Sequence, residues 1–164
     1  MAVTLYGSGN AIVQVKQYGF NVPEAFTNDN WQNTSIDTRN SPFIRTSNSN
    51  KILIFADIKG STISGGGDTF YRIVRNDDTV ICPGDGSATG QGWQTSAQND
   101  AFHSVSLGMR FMDTSLPNGS TFYTIQVYAP QTGIVNARAY YLGILGHVSF
   151  PVSSQITLME VAFV

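Results

Sequence analysis

The stretch His103-Ser104-Val105-Ser106-Leu107-Gly108-Met109-Arg110-Phe111-Met112-Asp113 alternates from Ser104 to Phe111. Val105, Leu107, Met109 and Phe111 share one side, and Ser104, Ser106, Gly108 and Arg110 share the other. A repeat of two is the signature of a β-strand with one face in a core and one in water. Working outward, further short apolar or alternating runs recur at residues 12–17, 43–46, 51–59, 69–75, 79–82, 121–129, 134–140 and 155–163. Gly, Asn, Asp, Pro and Ser separate them, as in Asn76-Asp77-Asp78, Pro117-Asn118-Gly119 and the glycine-rich stretches 65–67 and 84–92. Such clusters are turn chemistry. No segment carries a helical stripe, so the fold class is all-β, and about nine strands in one chain predict a two-sheet antiparallel sandwich.

Three runs break the half-wet pattern. In 121–129, Tyr123, Ile125 and Val127 lie opposite Phe122 and Tyr128; in 69–75, Tyr71 and Ile73 oppose Phe70 and Val74. In 155–163, Ile156 and Leu158 oppose Met159, Val161 and Phe163. A strand apolar on both sides needs a second cover, supplied within the chain or by another subunit. This predicts an oligomer. Glu160 sits inside the last of these runs, where an unpaired charge is costly. Arg72 is its expected partner and Arg110 the alternative.

The chain has 164 residues, enough for one domain and one core without a disulfide or metal. Charged residues make up 12%, about half the usual share. Net charge is −2, and no Lys/Arg cluster supports a nucleic-acid partner. No apolar run approaches the ~20 residues of a membrane-spanning helix. Residues 1–10 lack the pattern of a secretory signal, so synthesis in a reducing cytoplasm is expected. The single Cys82, within Val80-Ile81-Cys82, reads as a small buried hydrophobe.

Catalytic patterns are not evident. No serine elbow G-x-S-x-G occurs, and His103 and His147 are isolated. One Cys and two scattered His do not make a zinc set. Asp68, Asp85 and Asp100 lie in loops, where Asp normally caps its own backbone. The expectation is a non-enzymatic protein with no cofactor and no metal. Carbohydrate binding has better support. Trp93 lies in a polar loop with Gln98 and Asn99, and Trp31 lies in a second polar stretch. Aromatic faces beside amides suit sugars, which makes Trp93, Gln98, Asn99 and Trp31, with Tyr140 and Tyr141, candidate ligand-binding residues.

Several segments resemble those of small bacteriophage virion proteins and fibre-tip domains of the cyanophage and marine-phage type. They are Gly84-Asp85-Gly86-Ser87-Ala88, Phe111-Met112-Asp113-Thr114-Ser115, Thr121-Phe122-Tyr123-Thr124-Ile125-Gln126-Val127 and Ser154-Gln155-Ile156-Thr157-Leu158-Met159-Glu160-Val161-Ala162. Ile12-Val13-Gln14-Val15-Lys16-Gln17 and Ser49-Asn50-Lys51-Ile52-Leu53-Ile54 fit the same pattern. The resemblance implies a jelly roll like that of the tumour necrosis factor family, spanning residues 12–164 after a short arm at 1–11 and assembled as a homotrimer. It also implies an inner sheet of 12–17, 155–163, 69–75 and 121–129 lining the threefold axis. Phe70, Arg72, Val74, Phe122, Tyr128, Met159, Val161 and Phe163 then form the trimer interface. The implied role is structural, on the exterior of a phage virion, as a capsid decoration or knob. The alternative is a tail-fibre tip that recognises host surface polysaccharide. Partners would be further copies of the chain and capsid or fibre proteins.

Overall fold

The computed structural model describes residues 11–62, 69–81, 93–95, 105–135, 137–141, 147–151 and 153–162. The described elements are all strands: β1 (Ala11–Phe20), β2 (Glu24–Asp37), β3 (Phe43–Ile44), β4 (Lys51–Thr62), β5 (Thr69–Arg75), β6 (Trp93–Thr95), β7 (Val105–Asp113), β8 (Ser120–Thr121), β9 (Tyr123–Val135), β10 (Ala137–Tyr141), β11 (His147–Pro151) and β12 (Ser154–Ala162). Eight of them form two antiparallel four-stranded layers, in the orders β1-β12-β4-β7 and β2-β9-β5-β6. The layers join at one corner, where residues 60–62 of β4 pair with 133–135 of β9. Along the chain the eight strands cross between layers at every step except the β5–β6 hairpin, the interleaved order of a jelly roll, two Greek keys folded into one sandwich.

Alternation decides what lies between the layers. Ile52, Ile54 and Ile58 of β4, Ile156 and Leu158 of β12 and Met109 of β7 point inward from the first layer. Ile36 of β2, Tyr71 and Ile73 of β5, and Tyr123, Ile125 and Val127 of β9 meet them from the second. All are fully buried, and several are β-branched or aromatic, the residues that pack best on a pleated surface. The short pair β3–β8 closes one end and seats Phe43 in the core.

The sandwich expected from the sequence is present. In β7, Met109 is buried while Ser106, Gly108 and Arg110 are exposed, as the alternation requires. Four differences stand out. β2 occupies the polar stretch around Trp31, where no strand was expected. Residues 79–81 form only an isolated bridge, Val80 to Val74, that closes the β5 turn. The run expected at 134–140 is divided, its start ending β9 and the rest belonging to β10. Most important, β5 and β9 do not share a layer with β1 and β12; β4 and β7 do.

Candidate functional surfaces

The exchange of strands between layers divides the eight residues expected at one trimer interface. Met159 and Val161 lie on the outer face of the β1-β12-β4-β7 layer. Phe70, Arg72, Val74 and Tyr128 lie on the outer face of the opposite layer, and Phe122 stands just before β9. One face therefore cannot contain both groups. Phe163 lies outside the described residues. Of the candidate ligand residues, Gln98 and Asn99 also lie outside them; Trp93 belongs to β6 and Tyr140 and Tyr141 to β10, where only the backbone is described.

On the first layer, registers across four strands align rows of side chains. Val15, Met159, Leu53 and Met112 form one row. Beside it run Gln17, Thr157, Phe55 and Arg110, then Gly19, Gln155, Asp57 and Gly108. Val15 is 53% exposed, and Leu53, Met112, Met159 and Phe55 are half-buried. The result is an apolar belt across the whole layer with a polar margin. Next to it lies a shallow hollow of about 250 Å³, lined by Phe55, Asp57, Gly108, Arg110, Gln155 and Thr157 among others. Gly108 leaves this hollow open, because a Cβ there would meet nothing within 4 Å. Arg110 lies over the Phe55 ring at 5.7 Å, a cation–π contact. At the margin, Lys59 Nζ donates to both Asp57 oxygens, and the Ser106 hydroxyl donates to Asp57. Burial opposes ionisation of Asp57, but these donors outweigh it and hold its pKa below the usual value.

The outer face of the second layer is built differently. Arg72 of β5, Gln126 of β9 and Asn33 of β2 form one row through the registers Arg72–Gln126 and Asn33–Gln126. Arg72 Nε donates to Gln126 Oε1 at 2.7 Å, and Gln126 Nε2 donates to Asn33 Oδ1 at 2.8 Å. The guanidinium lies 4.2 Å from the centre of the Trp31 ring. Trp31 in turn tilts onto Tyr128 at 5.7 Å, and Phe70 meets Tyr128 edge-on at 6.0 Å. This cluster explains why β5 and β9 are apolar on both sides: β2, with its Trp31, lends cover from within the chain. A register irregularity between Asn28 and Gln32 of β2 accompanies the turn of Trp31 toward Tyr128. Burial lowers the Arg72 pKa.

Glu160 is fully buried, and the expected arginine partner is replaced by neutral donors. Its Oε1 accepts from Asn50 Nδ2 at 2.6 Å, from Thr46 N and Oγ1 at 2.8 Å each, and from Ser47 N at 3.3 Å. Its Oε2 accepts from Gln14 Nε2 at 2.6 Å. Arg72 is on the opposite layer and Arg110 on the outer face, so neither meets it. Burial pushes the Glu160 pKa upward, but the bonds from Asn50, Gln14 and Thr46 outweigh it and leave the pKa lowered. A second buried acid, Asp113, does pair with an arginine. Arg75 Nη1 reaches both its oxygens at 2.9 Å, and the Tyr123 hydroxyl donates to it at 2.9 Å. Each acid serves to tie segments together. Among the described residues, no three His, Cys, Asp or Glu side chains gather in the manner of a metal site.

No family model matches the chain, and no curated protein matches it. Among solved structures, a chain in "Structure of infectious bursal disease virus Gx strain" is similar at 7% identity and a TM-score of 0.44, over 94% of this chain and 41% of that one. The present chain thus spans less than half the length of that neighbour.

Proposed function

We propose that this protein is a non-enzymatic structural component of a phage virion, a homotrimer displayed on the particle exterior as a capsid decoration or knob. The trimer forms through the outer face of the β1-β12-β4-β7 layer. The observation that carries this reading is the row Val15–Met159–Leu53–Met112, apolar from edge to edge of a layer whose other face already fills the core. Burying such a belt contributes about 25 cal/mol for each Å² of apolar surface removed from water. The hollow beside Gly108 offers a neighbouring copy a place to seat a side chain. Support for the virion setting comes from the strand and turn segments that resemble those of small phage virion proteins.

Two measurements test the two halves of the reading. Light scattering on purified protein is expected to give three times the 17.8 kDa protomer mass. A mass of one protomer at micromolar concentration overturns the trimer. Antibody raised to the protein is expected to label intact phage particles in electron micrographs. Absence of the chain from purified particles by mass spectrometry overturns the virion role.

A further inference from the structure

We infer that the outer face of β2, β9 and β5 carries a binding site for an acidic sugar, centred on Arg72 and Trp31, with the sugar carboxylate on the guanidinium. The inference concerns the protomer alone and stands whether or not the opposite face trimerises.

Hydrogen-bond polarity carries the argument. Arg72 Nε can only donate, so the group facing it at 2.7 Å must be the Gln126 carbonyl. That fixes the Gln126 amide nitrogen toward Asn33, and the group facing it at 2.8 Å must be the Asn33 carbonyl. The chain of amides is therefore oriented by the arginine, and what it leaves at the surface is donors. These are the two terminal nitrogens of Arg72 and the amide nitrogen of the exposed Asn33. Among the described residues, no carboxylate forms an ion pair with Arg72. The two acids whose side chains are described on β2 are engaged elsewhere: Glu24 accepts from Ser35 N, and Asp37 pairs with Arg39.

A partly buried guanidinium with no counter-ion among the described residues is unusual, because taking it from water is costly unless an anion compensates. Here the Trp31 ring and Gln126 hold it in place, so little side-chain freedom remains to be lost on binding. A planar fork of N–H groups matches a carboxylate with two parallel hydrogen bonds. Tyr128 and the part of Trp31 that the guanidinium does not cover, both half-buried, supply apolar area for the C–H face of a pyranose ring, and Asn33 supplies a donor to a ring hydroxyl. Together these features specify a uronic-acid type of sugar in preference to a neutral one or to a bare anion. Three copies on one particle would add avidity to weak single sites.

The test is a titration of the full chain, labelled with nitrogen-15, using methyl β-glucuronoside, methyl β-glucoside and sodium acetate in parallel. The glucuronoside is expected to shift the Trp31 indole N–H and the Asn33 and Gln126 side-chain amides saturably. It should bind at least about tenfold more tightly than either control, the loss expected when one charge-assisted hydrogen bond is removed. Arg72→Gln is expected to abolish that preference. Asn33→Asp keeps an acceptor for Gln126 while adding a negative charge, and is expected to weaken the glucuronoside by a similar factor with the fold intact. Equal binding of glucuronoside and glucoside, acetate binding as tightly as the sugar acid, no saturable shift up to about 10 mM, or unchanged binding in Asn33→Asp each overturns the assignment.

Discussion

Glu160 and Asp113 show two ways of burying a carboxylate, and they respond differently to substitution. Glu160 stays ionised, solvated by five hydrogen bonds from uncharged donors contributed by β1 and by the segment between β3 and β4. Glu160→Gln keeps one carbonyl but turns an amide nitrogen toward donors. It is expected to lower stability by about 1–3 kcal/mol in urea unfolding, the cost of leaving buried polar groups mismatched. The same carboxyl gives a pH dependence. Its folded pKa lies below its ordinary 4.5, so its contribution is complete above that value and disappears as pH falls through the lower folded value. Asp77, held well below the usual range by Arg75, acts in the same direction. The urea midpoint is therefore expected to fall on acidification below about pH 4.5, and the Glu160→Gln variant to lose part of that slope. Asp113→Ala strands the Arg75 charge and the Tyr123 hydroxyl in the interior. Breaking a buried pair from one side is expected to cost about 3–5 kcal/mol, reduced by the bond Arg75 keeps to Asp77. The sequence marked Glu160 as buried from its place in an apolar strand. It could not identify Gln14, Thr46 and Asn50 as partners, since they lie more than a hundred residues away and carry no charge to suggest a match.

Among elements, the contrast is between β7 and β2. β7 was legible because from Val105 to Phe111 one face is apolar and the other polar. β2 was not, because its run Glu24-Ala25-Phe26-Thr27-Asn28-Asp29-Asn30-Trp31-Gln32-Asn33-Thr34-Ser35-Ile36-Asp37 is mostly polar and its register is irregular at three places. As an edge strand bonded on one side only, it needs little apolar character beyond Phe26 and Ile36. What holds it is hydrogen bonding to β9, including the buried Thr34 hydroxyl on the Ile125 carbonyl at 2.9 Å. The same hydroxyl accepts from Ile36 N at 3.1 Å, so Thr34→Val leaves two buried groups unpaired and is expected to cost about 1–3 kcal/mol, measured by urea unfolding. The turn after β5 was read correctly at Asn76-Asp77-Asp78. Asp78 there has φ of 62°, in the left-handed region that disfavours a Cβ. Asp78→Gly relieves that crowding and is expected to raise the unfolding midpoint by an amount equivalent to about 0.5–1 kcal/mol.

For the molecule as a whole, the proposed roles fall on opposite outer faces. In the proposed assembly the belt on β1, β12, β4 and β7 meets other copies of the chain, and the arginine–tryptophan patch on β2, β9 and β5 faces the other way. A double substitution Val15→Asp and Met159→Asp places two charges in the belt without touching the core. It is expected to give folded protomers, with unchanged far-ultraviolet circular dichroism and a scattering mass near one chain. Retention of the trimer mass would mean that assembly uses another surface. The sequence by itself determined that the chain is an antiparallel sandwich, since alternation and turn residues are local and each strand announces which of its faces is apolar. It also determined that β5, β9 and β12 need cover on both sides. Only the tertiary structure decided which strands share a layer, because strand order depends on hydrogen bonds between segments far apart in the chain, and alternation reads the same in either layer. That order separated Met159 from Phe70 and Arg72, freed Arg72 from Glu160, and brought it instead to Trp31.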